Sequence, residues 1–261
     1  MGPVTVRDSV HPGVRRVVVD NLGSGLITVA PSDQPDRVEC EIHAVDEQVV
    51  AEVQVRQEQY TLRLTFPTGL VRETPVDLRL RVPAGLEYVI KAGSADIAFS
   101  ADIGRSKIAS GSGNIALART VDLECSTGSG DISVVRMDGS GGRVSAGSGN
   151  VSLGEVHCPV TAKSGSGDVT VQSVQQGGVQ ANSASGDIAV SSTSGSVDLR
   201  TASGGLRIGV ADHLPAWLDL HSVSGEIRIS LESSAEPLPG EPYVSVRART
   251  ASGDIAVYRA A

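Results

Sequence analysis

Apolar and polar residues alternate along most of this chain, and the alternation is broken at regular intervals beside a Gly. From Val179 to Ser185 every other residue is small or apolar, and beyond Gly186 the apolar positions resume at Ile188 and Val190, one residue out of phase. A period of two is typical of β-strands, and a phase change at a Gly indicates a corner or bulge. Since no long run has helical periodicity, the pattern predicts strands joined by corners and little helix.

The strand-and-corner unit recurs with a period of about eighteen residues, and its core is Ser-Gly-[Asp or Asn]-[Ile or Val]. Copies or variants of this core begin at Ser94, Ser112, Ser129, Ser148, Ser166, Ser185, Ser203, Ser224 and Ser252. One such unit cannot bury its own apolar face, whereas stacked units form parallel ladders around a continuous core. The repeat therefore predicts an all-β fold, a parallel β-solenoid that resembles a β-helix and has about nine coils.

The first third of the chain alternates without this repeat. Alternating segments at 38–44, 49–55, 60–66 and 76–82 are separated by turn signals, which predicts antiparallel hairpins over about residues 33–82. Because Ser24-Gly-Leu-Ile matches the repeat core, we expect the solenoid to begin there and to resume near Tyr88. We assign residues 1–87 to a β-rich cap and hairpin region, and residues 88–261 to the solenoid, within one continuous structural unit.

Two features stand out near the C-terminal end. The acidic, Pro-rich stretch 232–242 lengthens one repeat and predicts a loop that leaves the coil, either as a tolerated insertion or as a contact surface. Trp217 lies within a longer repeat of 21 residues and is expected to fill the wider coil that this repeat forms, although a small ligand patch with His213 and His221 is the alternative. The few residues from Arg259 onward are too small to cover the end of a strand ladder, so pairing between the ladder ends of two molecules stays an alternative.

Composition and charge limit the partners. The chain has 30 Gly but only 2 Phe, 1 Trp and 4 Tyr, so its core must pack on small and β-branched side chains. With 22 basic and 30 acidic residues and no basic run, its net charge of −8 disfavours nucleic acid and anionic membrane surfaces as partners. We expect an unknown protein partner or self-association.

Cysteine usage and hydropathy bear on location. Cys40, Cys125 and Cys158 are odd in number and contain no C-x-x-C pair, which predicts buried thiols in a reducing compartment. The sequence has neither an export signal nor an apolar run long enough to span a membrane. We therefore predict a cytoplasmic protein without direct membrane insertion; a surface role stays open if an anchor precedes this sequence.

The strand Leu78-Arg-Leu-Arg-Val-Pro-Ala-Gly85, followed by tandem Ser-Gly-Asp-Ile units, resembles the bacterial β-strand-repeat proteins that carry the label "putative adhesin". The resemblance covers most of the chain. It implies a β-solenoid of unknown function and brings no catalytic residues with it. An adhesin-like role is what the label implies for this chain.

Stacked coils would bring the Asp or Asn position of each Ser-Gly-[Asp or Asn] core into one outward column. The column contains Asn114, Asp131, Asn150, Asp168, Asp187, Glu226 and Asp254. Carboxylates about 4.8 Å apart repel unless a cation bridges them, so Asp131, Asp168, Asp187, Glu226 and Asp254 are candidate calcium ligands. The alternative is that Asp and Asn cap the turn after each Gly, and the single Gly tract per coil also differs from the calcium-binding β-roll.

The sequence contains no constellation that carries catalysis. It lacks a Gly-x-Ser-x-Gly elbow, a Ser-x-x-Lys motif and a Gly-Lys pair, and its five His residues have no metal-ligand spacing. We predict no catalytic residues and no cofactor. The favoured function is a non-enzymatic scaffold or protein-interaction module; the alternatives are a filament-forming solenoid and a β-helix that binds or cleaves polysaccharide.

Overall fold

A computed structural model describes residues 5–67, 74–212, 214–232 and 241–260 of the chain. Over these residues the protein is all-β apart from one short helix, and most neighbouring strands run parallel. The predicted parallel β-solenoid is confirmed. The chain divides into two compact units, Met1–Asp131 and Ile132–Ala261.

The first unit contains two sheets and the helix. Its elements are β1 (Thr5–Pro12), β2 (Arg16–Leu22), β3 (Gly25–Pro31), β4 (Arg37–Ala44), α1 (Glu47–Glu52), β5 (Gln54–Glu58), β6 (Thr61–Thr65), β7 (Val76–Val82), β8 (Glu87–Ala92), β9 (Asp96–Ile103), β10 (Ser106–Ser110), β11 (Ile115–Thr120) and β12 (Leu123–Thr127). One sheet has the order β1-β4-β7-β3-β9-β11, and the other has the order β5-β6-β2-β8-β10-β12.

The predicted hairpins are present over only part of the N-terminal region. Strand β4 is antiparallel to both β1 and β7, and β5 is antiparallel to β6. Strands β6 and β7, however, pair in parallel with β2 and β3, so they form a coil of the solenoid. Antiparallel pairing as far as residue 82 is confirmed, but the expectation that these strands interrupt the solenoid was wrong for β6 and β7, because alternation reports a strand and not the direction of its neighbour. The early start of the solenoid is confirmed, since Leu26 lies beside Asp96 in adjacent parallel strands.

Helix α1 replaces the first part of a predicted strand. The side chain of Asp46 accepts a hydrogen bond from the N–H of Gln48 and so caps the helix. Val49, Val50 and Val53 are buried. The strand predicted from the alternation over 49–55 was wrong here, because the spacing of Val49, Val50 and Val53 also gives the buried face of a single helical turn.

The outermost strands of the first unit are joined by side chains. The guanidinium of Arg7, on β1, donates to the carbonyl oxygen of Val53 at 2.7 Å. The amide of Gln57, on β5, donates to the carbonyl oxygen of Pro12, at the end of β1, also at 2.7 Å. Since β1 and β5 belong to different sheets, these bonds and the buried valines of α1 close this end of the unit.

The second unit consists of two sheets of parallel strands. Its strands are β13 (Ile132–Met137), β14 (Gly142–Ala146), β15 (Val151–Val156), β16 (Val160–Ser164), β17 (Val169–Val174), β18 (Gly178–Ser183), β19 (Ile188–Thr193), β20 (Ser196–Thr201), β21 (Leu206–Ala211), β22 (Ala216–Ser222), β23 (Ile227–Ser230), β24 (Val244–Thr250) and β25 (Ile255–Ala260). One sheet has the order β13-β15-β17-β19-β21-β25-β23, and the other has the order β14-β16-β18-β20-β24-β22.

The last coil in the sequence of the second unit is not the last coil in space. Strand β24 pairs with β20 on one side and with β22 on the other, and β25 likewise lies between β21 and β23. The coil formed by β24 and β25 is therefore inserted between two coils that precede it in the chain. As a result, β22 and β23 are the outermost strands.

The core lies between the two sheets and is built from small aliphatic side chains. Val179 and Ala181 of β18 and Val190 of β19 are almost completely buried. At the corner between these strands Ser183 and Gly186 are buried, whereas Ser185 is exposed. The change of phase therefore begins at Ser183, two residues earlier than the alternation indicated. The boundary assigned at residue 87 stays a prediction.

Candidate functional site

The predicted outward column is a ladder of hydrogen bonds between coils. In each bond, a backbone N–H donates to the side-chain oxygen at the same position of the adjacent coil. In the second unit the pairs are Asp168 to Asn150 at 2.9 Å, Asp187 to Asp168 at 2.8 Å, Gly205 to Asp187 at 2.8 Å and Glu226 to Asp254 at 2.9 Å. In the first unit they are Asn114 to Asp96 at 2.7 Å and Asp131 to Asn114 at 2.9 Å.

This ladder explains why Asp and Asn alternate freely in the motif. Both residues present an Oδ1 that accepts one N–H, so either satisfies a backbone donor at the exposed corner. The expected turn cap is thus a contact with the next coil. Within the described part of the chain, no three His, Cys, Asp or Glu side chains form a group that could hold a metal ion. Calcium binding by the column stays a prediction.

A second column, of hydroxyl groups, runs inside the same corners. Ser183 Oγ accepts from the N–H of Gly186 at 2.9 Å within its own coil and donates to the carbonyl oxygen of Gly167, in the next coil, at 3.1 Å. Ser164 makes the same pair of bonds, and Thr201 and Thr250 donate in the same way. Ser164 and Ser183 therefore tie the turn of their own coil to the backbone of the adjacent one, and Thr201 and Thr250 each bond to the backbone of the adjacent coil.

The outer column has a gap at Gly205, which has no side chain to accept the N–H of Asp254. A Cβ built on Gly205 meets only ordinary contacts, the nearest being Asp187 Oδ1 at 3.6 Å. We expect Gly205→Asn to raise the free energy of unfolding by about 0.5–1.5 kcal/mol, because its amide oxygen restores one ladder bond. Denaturant unfolding measures this gain, with Gly205→Ala as the control; equal stability of the two variants would contradict the role of the side-chain oxygen.

The proposed ligand patch around Trp217 is only partly described. His213 lies outside the described residues. Trp217 and His221 lie on β22, and both are exposed, with Trp217 accessible over 51% of its surface. The expectation that Trp217 fills a wider coil was wrong, because the alternation of β22 turns Leu218 and Leu220 inward instead. The Pro-rich stretch predicted as a loop also falls largely outside the described residues, at 233–240.

Charged side chains link the outer faces of β20, β24 and β22. Asp219 of β22 accepts hydrogen bonds from Arg247 and Arg249 of β24, both at 3.1 Å. Arg247 also lies 3.9 Å from the carboxylate of Asp198, on β20. Partial desolvation disfavours the charge on Asp219, but the two arginines outweigh it and hold the pKa of this carboxyl below its usual value. This network aligns the three strands at the surface.

The outermost coil of the second unit leaves two strand edges uncovered. Among the described residues, β22 pairs only with β24, and β23 pairs only with β25. Their inward positions are also open: Ile227 and Ile229 are 39% and 52% exposed, and Leu218 and Leu220 are only half-buried. We call the outer edges of β22 and β23, with these four side chains, the open end.

The remaining sequence predictions concern thiols and membranes. Cys40, Cys125 and Cys158 are buried thiols, as predicted. Burial raises the pKa of the Cys125 thiol to about 12, and desolvation has the same effect on Cys40. In the described ranges, no helix is long and apolar enough to cross a membrane.

A family model described as "Toastrack DUF4097" matches residues 41–258 of the chain. No curated protein matches this chain.

Solved structures of low sequence identity share the fold. A "putative adhesin" from Parabacteroides distasonis has a TM-score of 0.62 at 12% identity, with 98% of this chain and 97% of that chain covered. A "putative adhesin" from Parabacteroides merdae has the same TM-score and identity, with 98% and 96% covered. A "putative lipid binding protein" from Parabacteroides distasonis has a TM-score of 0.56 at 18% identity, with 98% and 97% covered. At these identities the likeness concerns the fold alone.

Proposed function

Since this chain belongs to the Toastrack DUF4097 family, whose function is unknown, we propose that it is a non-enzymatic protein-interaction module that binds its partner through the open end. The observation that carries the proposal is the pair of uncovered edges on β22 and β23 beside half-exposed inward side chains. An exposed strand edge offers a row of backbone donors and acceptors, and proteins use such edges to add a strand from a partner.

The contrast with the neighbouring coil supports this assignment. Strand β25 carries Ile255 and Val257 at the same register positions as Ile227 and Ile229 of β23, and both are fully or almost fully buried. The same kind of side chain is therefore buried where another coil follows and exposed where none does. Covering the open end would bury this apolar surface, which is the main favourable term in protein association.

The polar groups of the corners support a structural role over a catalytic one. The carboxylate of Asp187 accepts a backbone N–H, and the hydroxyl of Ser183 both accepts and donates to backbone groups. These side chains already satisfy buried or corner backbone atoms, so they hold coils together. The rigid ladders then present the open end as a preformed surface, which reduces the entropy lost on binding.

A filament built by stacking ends is disfavoured by the first unit. Its outermost strands β1 and β5 are linked by the side chains of Arg7 and Gln57, and α1 contacts β1 and β4. Polymer growth requires two mutually complementary ends. Strands β1 and β5 are also edge strands, but the bonds of Arg7 and Gln57 bridge them, so this end differs from the open end, where no such bridge is present among the described residues.

The proposal is tested by partner capture with edge variants. Wild-type protein, Ile229→Lys and Val135→Lys are coupled to a support at low density, so that bait molecules do not meet. They are then exposed to soluble and membrane fractions of the source cells. An inward-pointing Lys blocks strand addition, whereas Val135 is an exposed residue of β13. We expect a protein from the soluble fraction, in keeping with a cytoplasmic location, that wild type and Val135→Lys retain and Ile229→Lys loses. Equal retention by all three baits would contradict the proposal.

A further inference from the structure

The open end has the shape of an interrupted solenoid. Leu218 and Leu220 of β22 lie beside Val246 and Ala248 of β24, which are completely buried. What buries the inward side chains of every internal coil is a further coil of the same width, with one strand in each sheet. A cover for the open end must therefore supply two strands at the spacing of the two sheets and an apolar filling between them.

We propose that the cover is a second copy of this chain, docked open end to open end about a two-fold axis. This inference rests on the proposed function, since it names the occupant of the same surface. A second copy supplies two edges at the required separation by construction, because its sheets have the same spacing. A two-fold axis perpendicular to the sheets reverses the strand direction, so β22 and β23 each pair with their own copy in antiparallel fashion.

Among the axes at Asp219, Leu220 and His221, in the middle of β22, charge favours the one at Leu220. In antiparallel strands, directly opposite residues share a face. A two-fold axis between two copies of β22 must therefore lie where one residue faces the same residue of the second copy, and we name the axis by that residue. With the axis at Asp219, two carboxylates oppose each other, and with the axis at His221, two imidazoles do. With the axis at Leu220, Asp219 lies opposite His221 of the second copy on both sides, which avoids like charges. Leu220 then packs against Leu220 of the second copy.

The same axis fits the other sheet. Ser222 and Ile227 are the inward positions on either side of the corner, so Leu220 and Ile229 are each the second inward position from it. An axis through Leu220 therefore places Ile229 opposite Ile229 of the second copy. Arg228, which is bonded to Glu226 of its own coil, then lies opposite Ser230 and faces no like charge. Both half-exposed isoleucines and both half-buried leucines enter one continuous core.

The pair is closed and does not grow further. In the first unit, Arg7 and Gln57 bridge the outermost strands β1 and β5, and α1, with its buried Val49 and Val50, packs on β1 and β4. The competing occupant from this chain, the segment 233–240, contains Pro237 and Pro239. Proline has no N–H to donate to a ladder, which makes this segment a poor substitute for a strand.

Solution mass over a range of concentrations tests the pair. We expect the wild-type chain to have the mass of two chains, and Ile229→Lys to raise the dissociation constant of the pair about 100-fold or more, as the loss of a central apolar contact does. Val135→Lys is the control and should stay paired. A wild type that stays monomeric at every concentration overturns the inference, and so does a pair that Ile229→Lys leaves intact.

Cysteine cross-linking tests the register independently of stability. Opposed residues on a two-fold axis have Cα atoms about 4.5–5.5 Å apart, within the range of a disulfide. Leu220→Cys should cross-link to itself under mild oxidation, whereas Leu218→Cys, which lies opposite Ser222 in this register, should not. The native cysteines are buried and serve as the internal background. Equal cross-linking of the two variants overturns the register.

Two further outcomes separate this inference from the proposed function. If deletion of 233–240 converts a monomeric wild type into a pair, that segment is the occupant and the second copy is excluded. If the purified chain is monomeric but wild-type bait captures a protein that Ile229→Lys loses, the open end binds a different partner. In that case the proposed function stands and the inference of a second copy fails.

Discussion

Gly167→Ala is expected to lower the free energy of unfolding by about 3 kcal/mol or more. A Cβ at this position would lie 2.2 Å from the carbonyl oxygen of Gly149, in the adjacent coil, and 2.5 Å from its carbonyl carbon. Because both atoms belong to the backbone, the coils themselves must move apart, and overpacking of this kind costs about 1–3 kcal/mol or more. At about 2–4 °C per kcal/mol the melting temperature falls by about 6–12 °C.

Gly205→Ala is the matched control for this substitution. Gly205 lies in the corner of a coil of the same unit, but its added Cβ is 3.6 Å from the nearest atom. We expect a change within about 0.5 kcal/mol. If thermal and denaturant unfolding gave equal losses for Gly167→Ala and Gly205→Ala, close approach of the coils would not be the reason for the glycine.

Ser183→Ala is expected to lower the free energy of unfolding by about 2 kcal/mol. The substitution removes the acceptor for the N–H of Gly186 and the donor for the carbonyl oxygen of Gly167. Both partners are buried at the corner, and a buried polar group left without a partner costs about 1–3 kcal/mol. Urea or guanidinium unfolding at constant m-value measures the loss.

Ser185→Ala provides the control two residues further along, because Ser185 is exposed. Its stability should stay within about 0.5 kcal/mol of wild type. A loss at Ser185 as large as the loss at Ser183 would show that the inner column does not carry the stability assigned to it. The natural Ala146, at the corresponding position of β14, indicates that the fold tolerates one gap in the column.

The repeat made most of the fold predictable. Period-two alternation and a Gly corner recur at nearly constant spacing, and only a stack of parallel coils buries every such unit. Local ambiguity explains the errors. The valines at 49, 50 and 53 suit a strand as well as one helical turn, and the Asp46 cap decided in favour of the helix. Strands β6 and β7 each have one antiparallel neighbour, as predicted, and one parallel neighbour in the solenoid, which alternation does not encode.

The order of the coils could not be read from the sequence. Ladder pairing joins residues far apart in the chain, and coils with the same inward pattern are interchangeable as neighbours. From the sequence, the uncovered end of the ladder was expected at the C-terminal residues from Arg259 onward. Arg259 in fact belongs to β25, which lies between β21 and β23. Trp217 was assigned to the interior because its repeat is longer, whereas the alternation of β22 places Trp217 on the outward face.

The sequence predicted the outward column but not the open end. The Asp and Asn column was expected from the motif and lies outward in both units, where its oxygens accept backbone N–H groups. The open end depends on which coil is outermost, and the motif at Ser224 is as regular as those inside the stack. Its only sequence signal is the longer interval before Ser252, which gives the chain enough length to pass β22 and β23 and insert the last coil.

Amide hydrogen exchange of the second unit, followed at a low and a high protein concentration, tests whether β22 and β23 form the uncovered end of the stack. We expect amides of β24 and β25 to exchange as slowly as those of β20 and β21. Amides of β22 and β23 should exchange faster at low concentration and slow down as the open end becomes covered at high concentration. Faster exchange in β24 and β25 than in β22 and β23 would place the last coil of the chain at the end of the stack and would contradict the assignment of the open end.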